Sequence, residues 1–215
     1  MAEIPAKDLV RQYCLVEDEI RAALDRTLSI GEYAPGPAVA AFEREYATYC
    51  GAKHCVGVAN GTAAVHLAVA ACGVGPGDEV ITTAHAYVGT AFAVSYTGAK
   101  AVFVDIDPVS CNMEVSKVEE VITPRTRAIT PVHMHGQPVD MDLLLEIARR
   151  HSLWVVEDAS QSHAPTYKGR KVGSLGDVAA FDCHPHKNLG AYGDAACITV
   201  NDSGLHDKVK MLHNM

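Results

Sequence analysis

Lys187 lies in the run Phe181-Asp182-Cys183-His184-Pro185-His186-Lys187-Asn188-Leu189-Gly190-Ala191-Tyr192-Gly193-Asp194. Upstream, an apolar strand-like run ends in Glu157-Asp158-Ala159-Ser160-Gln161. A carboxylate at a strand end, then a lysine in a turn after the next strand, suits pyridoxal phosphate. A lysine amine forms an imine with the aldehyde, and a carboxylate pairs with the pyridinium nitrogen. That pairing points to amino-group transfer.

Four local signals feed this reading, and each has a plainer alternative. Asn60-Gly61-Thr62-Ala63-Ala64 follows a strand and opens a helix. Free amides at a helix start, a glycine allowing close approach and a Thr hydroxyl make a phosphate cradle; the same residues also read as an ordinary N-cap. Tyr87, in His85-Ala86-Tyr87-Val88-Gly89-Thr90, either stacks on a flat ring or is a half-buried residue at a helix start. Asp158 after Leu153-Trp154-Val155-Val156-Glu157 is costly to bury without a partner, or else caps a following helix. Gln161 and His163 can face the same pocket, and His163 reads equally as structural. Lys187 is a nucleophile if it faces a pocket between positive charge and apolar walls, and otherwise an exposed loop lysine. What joins these residues is their order and a shared place at strand ends.

The elements that must position them alternate. Strand-like runs are His54–Val58, Glu79–Thr82, Ala101–Val104, Ala128–Val132, Leu153–Val156, Val178–Phe181 and Cys197–Val200. Helical patterns lie at Thr62–Cys72, Tyr87–Tyr96, Val115–Val121 and Leu143–His151. This alternation predicts an α/β fold with a largely parallel sheet covered on both faces, and ligands beyond the carboxyl ends of the strands. Before the sheet, a helical pattern from Val16 to Leu28 stops at Gly31, and a second helix spans about 38–49. We divide the chain into an N-terminal helical arm, residues 1–50, and a ligand-binding domain, residues 51–215.

With 215 residues and a net charge of −8, the chain suits neither a nucleic-acid partner nor an anionic membrane surface. No stretch is long and apolar enough to span a bilayer, and Met1–Lys7 lacks the pattern of a signal peptide. Seven cysteines, without a Cys-x-x-Cys pair, favour reduced thiols in a cytoplasmic protein and argue against zinc. The pairs His133/His135 and His184/His186 are the only hint of a metal, and no metal is expected. No Gly-x-Gly-x-x-Gly or P-loop supports a dinucleotide or nucleoside triphosphate. The last residues, Lys208–Met215, read as an unfinished helix, as in a fragment of a longer protein.

Taken together, these segments resemble the DegT/DnrJ/EryC1/StrS family of pyridoxal-phosphate sugar aminotransferases over nearly the whole chain. The matching stretches are Ile4-Pro5-Ala6-Lys7-Asp8-Leu9, Gly31-Glu32-Tyr33 through Gly36-Pro37, Phe42-Glu43 and Ala59-Asn60-Gly61-Thr62. They continue with Gly75-Pro76-Gly77-Asp78-Glu79-Val80-Ile81, His135-Gly136-Gln137-Pro138, Glu157-Asp158-Ala159 and Lys187-Asn188-Leu189-Gly190. The resemblance implies an aspartate-aminotransferase-type large domain (PLP fold type I) with a mostly parallel seven-stranded sheet, its small C-terminal domain missing. It implies pyridoxal 5′-phosphate as cofactor, Lys187 as the imine lysine and proton shuttle, and Asp158 on the pyridinium. Gly61 and Thr62 would hold the phosphate, Tyr87 would stack on the ring, and Gln161 would contact it near the phenolic oxygen. Implied partners are a nucleotide-linked keto sugar, glutamate or glutamine as amino donor, and a second copy of the chain in a homodimer. The tail Asn188–Asp194 is more like members acting on 3-keto sugars than on 4-keto sugars.

Three departures stand out. Asp182 replaces a serine that helps bind phosphate in the family, and a carboxylate there would repel it. Ala195-Ala196 stands where glycines are common. The family is also longer, its C-terminal part supplying a small domain and part of the active-site wall. A sugar dehydratase of the same fold carries histidine in place of the lysine, so Lys187 disfavours it. A non-catalytic sugar-nucleotide or regulatory binding protein, or an inert fragment, is the rival from another class.

Overall fold

Successive residues along each strand face opposite ways, and this alternation builds a core on each side of one sheet. The structure, a computed structural model, describes residues 7–214; the matches at Ile4, Pro5 and Ala6, and Met215, lie outside the described residues. In chain order the elements are α1 (Leu9–Ile30), α2 (Pro37–Cys50), β1 (His54–Val58), α3 (Gly61–Ala71), β2 (Glu79–Thr83), α4 (Val88–Tyr96) and β3 (Lys100–Val104). There follow a 3₁₀ helix (Val115–Val121), β4 (Thr126–Ile129), a short 3₁₀ turn (Met134–Gly136), α5 (Met141–His151) and β5 (Trp154–Asp158). The chain continues through β6 (Thr166–Tyr167), β7 (Arg170–Lys171), β8 (Val178–Asp182), β9 (Ala196–Val200) and α6 (Ser203–His213).

Seven strands form one sheet in the order β1-β9-β8-β5-β4-β2-β3. All neighbouring pairs are parallel except those of β9, which runs antiparallel to both β1 and β8. The carboxyl ends of β1, β2, β5 and β8 therefore share one edge. On one face Val80, Val156, Val178 and Ala180 pack with α3, α4 and α6. On the other Ile81, Val155, Ala179 and Phe181 pack with α2 and α5. Continuing the alternation by one or two residues puts Asp158 and Asp182 on the α3–α4 face, and Glu157 on the α5 face.

Each expected strand and helix is present, with three differences. Cys197–Val200 belongs to the strand that reverses the sheet direction. Val115–Val121 is a 3₁₀ helix rather than an α-helix: valines at 115, 118 and 121 repeat every three residues, the 3₁₀ period. The β6–β7 hairpin went unseen, because it is two residues deep and its turn is Lys168-Gly169, both at positive φ (49° and 81°). The sequence division at residue 50 puts α2 with the arm; in the structure α2 packs Tyr46, Ala47 and Cys50 into the core, whereas α1 buries no side chain. All seven cysteines are free thiols. Among the described residues, no helix is long and apolar enough to cross a membrane, and no cluster of three His, Cys, Asp or Glu side chains is placed to hold a metal.

Candidate active site

The shared edge opens into a cleft of about 1310 Å³ lined by Gly61, Thr62, Tyr87, Asp158, Gln161 and Lys187, together with Asp182. All six sequence-derived site residues thus meet in one place.

At the end of β1, Asn60 caps α3 by accepting from the Ala63 amide at 2.9 Å. The cap is Asn60, not Thr62. Among the described residues, the amides of Gly61 and Thr62 meet no acceptor, so the helix start keeps two donors for an anion. Gly89 gives Thr62 its room. A Cβ at 89 would lie 2.5 Å from Thr62 Oγ1 and 2.9 Å from the Tyr87 ring. Tyr87 immediately precedes α4 and is 70% exposed, so its ring is free to cover a ligand.

Asp158 ends β5 and is 4% exposed. No helix follows for it to cap. Its Oδ2 accepts from Thr90 Oγ1 at 2.6 Å and its Oδ1 from the Ser160 amide at 3.1 Å. Among the described residues no cationic side chain pairs with it. A buried carboxylate held by two neutral donors retains acceptor capacity toward the cleft, which suits a protonated ring nitrogen. Gln161 spends its Oε1 on the His135 amide at 3.1 Å, and its Nε2 has only the Met134 sulfur at 3.8 Å. Its N–H groups are the part left for a ligand.

Lys187 is no exposed loop residue. Its side chain is 20% exposed, and Nζ lies 3.3 Å from Asp182 Oδ2. His163 is structural. Its Nε2–H donates to the Asp182 carbonyl at 2.8 Å, leaving Nδ1 to accept from Tyr46 at 2.6 Å. Burial holds its pKa below the ordinary histidine value even with that carbonyl beside it. The neighbour of Asp158, Glu157, is fully buried on the other face. It accepts from His133 Nε2 at 3.1 Å and from the amides of Gly173, Leu175 and Gly176. Burial works to raise its pKa, but the His133 bond and the amides outweigh this and hold it below the ordinary carboxylate value.

Thr90, Gly89 and the Asp182–Lys187 pair had no assigned role in the sequence. Thr90 was findable: it lies three residues past Tyr87 at a helix start, hence on the same face. The contact of Asp182 with Lys187 was not, because it depends on how the turn after β8 folds back.

The mostly parallel seven-stranded sheet, with Lys187 and buried Asp158 facing one cleft at its carboxyl edge, has the fold of the type I pyridoxal-phosphate aminotransferases. The model of the DegT/DnrJ/EryC1/StrS aminotransferase family matches residues 15–215, and the chain belongs to that family. The family uses pyridoxal 5′-phosphate. The chain is 45% identical over 209 residues to a "pleiotropic regulatory protein" of Geobacillus stearothermophilus, covering 97% of this chain and 56% of that protein. It is 44% identical over 211 residues to dTDP-3-amino-3,4,6-trideoxy-alpha-D-glucose transaminase of Streptomyces venezuelae, covering 98% of this chain and 56% of the relative. Among solved structures, DesV from S. venezuelae in complex with a ketimine intermediate superposes with a TM-score of 0.97 at 44% identity, over 100% of this chain and 58% of that one. The chain thus spans a little over half the length of these relatives.

Proposed function

We propose that the chain is the cofactor-binding part of a pyridoxal-phosphate aminotransferase that moves an amino group from glutamate or glutamine to a nucleotide-linked keto sugar. The observation that carries this reading is the convergence of Lys187 and the buried, hydroxyl-held Asp158 on one cleft. The tail Asn188–Asp194 and the likeness to a 3-amino-sugar transaminase support a 3-keto-6-deoxyhexose as the substrate class. We take the sheet and its covering helices, α2 included, as the cofactor-binding large domain, preceded by α1 as a helical arm, in a cytoplasmic homodimer.

The bound cofactor supplies an electron-withdrawing ring that stabilises negative charge beside the reacting carbon. Asp158, oriented by Thr90 and Ser160, keeps the ring nitrogen protonated. The amides of Gly61 and Thr62 and the Thr62 hydroxyl hold the phosphate. Tyr87 covers a ring face and excludes water, and Gln161 donates toward the phenolic oxygen. Lys187 Nζ would hold the cofactor through its aldehyde carbon, the chemistry that the amine supplies. With its amine free, Lys187 would take up and return the proton at the reacting carbon of the substrate.

The test is a preparation of the full-length protein with added cofactor. It should develop a visible absorbance band that borohydride fixes to Lys187, and Lys187→Ala should abolish both band and turnover. Turnover retained by Lys187→Ala would overturn the reading. A second reading, a non-catalytic sugar-nucleotide or regulatory binding protein, draws on the regulatory relative and on Asp182. It predicts nucleotide-sugar binding with no such band.

A further inference from the structure

The cofactor cradle contains its own anion. Strand alternation delivers Asp182, the last residue of β8, to the face covered by α3. There it lies against the helix start so closely that a Cβ on Gly61 would fall 2.6 Å from Asp182 Cβ and 3.3 Å from Oδ1. Its Oδ1 accepts from the His184 amide at 3.0 Å, and its Oδ2 faces Lys187 Nζ at 3.3 Å. The carboxylate is therefore pinned from one side and cannot swing away without giving up both partners. The amides of Gly61 and Thr62, which would receive a phosphate, open beside it. Lys7, the other lysine on the cleft wall, is engaged with the His186 carbonyl at 3.0 Å.

We propose that Asp182 sets the phosphate affinity of this cleft: it is a built-in counter-anion that weakens the grip on a phosphorylated ligand and ties down Lys187 while the cleft is empty. The charge balance is the reason. Asp182 and Lys187 neutralise each other in the structure. A ligand that takes up the amine of Lys187 leaves the carboxylate without its partner, close to the place of an incoming dianion. A serine at this position, as the family resemblance implies, would add a donor where this chain adds a negative charge. The inference rests on Lys187, Gly61 and Thr62 binding the cofactor.

The experiment compares wild type, Asp182→Asn and Asp182→Ser in the full-length protein. Asn keeps the size and the acceptor for the His184 amide, so one variant preserves the local structure if the other does not. Three probes are titrated: inorganic phosphate by calorimetry, and pyridoxal and pyridoxal 5′-phosphate by the visible band. Freeing Lys187 helps both aldehydes alike, so the ratio of their dissociation constants isolates the phosphate. We expect that ratio to shift toward the phosphorylated form by at least about tenfold in either variant, with inorganic phosphate tightening by a similar factor. A ratio and a phosphate affinity unchanged within about twofold would overturn the proposal. If no protein forms the band with either aldehyde, the aminotransferase reading fails. Inorganic phosphate then decides alone: tightening in the variants supports the role of Asp182, and no change removes it.

Discussion

Glu157 and Asp158 are consecutive carboxylates on one strand, both almost entirely buried, yet they live in opposite chemical worlds. Glu157 points to the α5 side, where one imidazole and three backbone amides saturate it and no solvent reaches it. Asp158 points to the α3–α4 side, where a hydroxyl and one amide hold it and a cleft opens in front of it. The first is a structural knot, tying β5 to the loop before β8 and to the turn after β4. The second is left underbonded at the cleft. Burial alone therefore does not mark a functional carboxylate; an incomplete set of partners next to a cavity does.

Three substitutions and one pH profile test this contrast. The largest effect belongs to Asp158→Asn. In full-length protein, turnover should fall by about 10²–10³, while urea unfolding shifts by less than about 1 kcal/mol. Glu157→Gln should do the reverse. It sets an amide N–H against a cluster of donors, and should cost about 2–4 kcal/mol of unfolding free energy with kcat of the folded fraction little changed. Equal stability losses from the two substitutions would erase the distinction.

A third effect is the pH dependence of that loss. Because the folded state lowers the Glu157 pKa below 4.5, its contribution is fully present above that value and drains away as pH falls through the lowered folded pKa. The stability gap between wild type and Glu157→Gln should be constant from pH 7 to about 5 and should narrow below about 4; a gap that widened in acid would contradict the assignment. The smallest effect is at Gly89→Ala. The new methyl crowds Thr62 Oγ1 and the Tyr87 ring, both free to shift, so thermal unfolding should barely move. Cofactor affinity, read from the visible band, should fall by about tenfold as the Thr62 hydroxyl is displaced.

Much of this was legible before any coordinates. Strand runs such as Val178–Phe181 are short, apolar and bounded by turn residues, and parallel strands buried on both faces must read that way. Asn60-Gly61-Thr62 and Glu157-Asp158 fall at strand ends, and right-handed crossovers bring such ends to one edge. The alternation of side chains even separates Glu157 from Asp158, although only Asp158 received a role. The hairpin at Lys168-Gly169 was not legible, since each strand is two residues long and lysine is an unusual residue at positive φ. Nor was the structural role of His163: its partners, Tyr46 and the Asp182 carbonyl, are distant in the chain.

The sequence by itself determined the α/β order, the family and the residues that meet at the sheet edge, because hydrophobic period and strand-end chemistry are local properties. Only the tertiary structure decided which partners each polar group keeps. It reversed β9, saturated Glu157, left Asp158 without a cation among the described residues and joined Lys187 to Asp182. Such pairings depend on distances between segments far apart in the chain, and a hydrogen bond or close ion pair forms only when its two atoms come within a few ångströms.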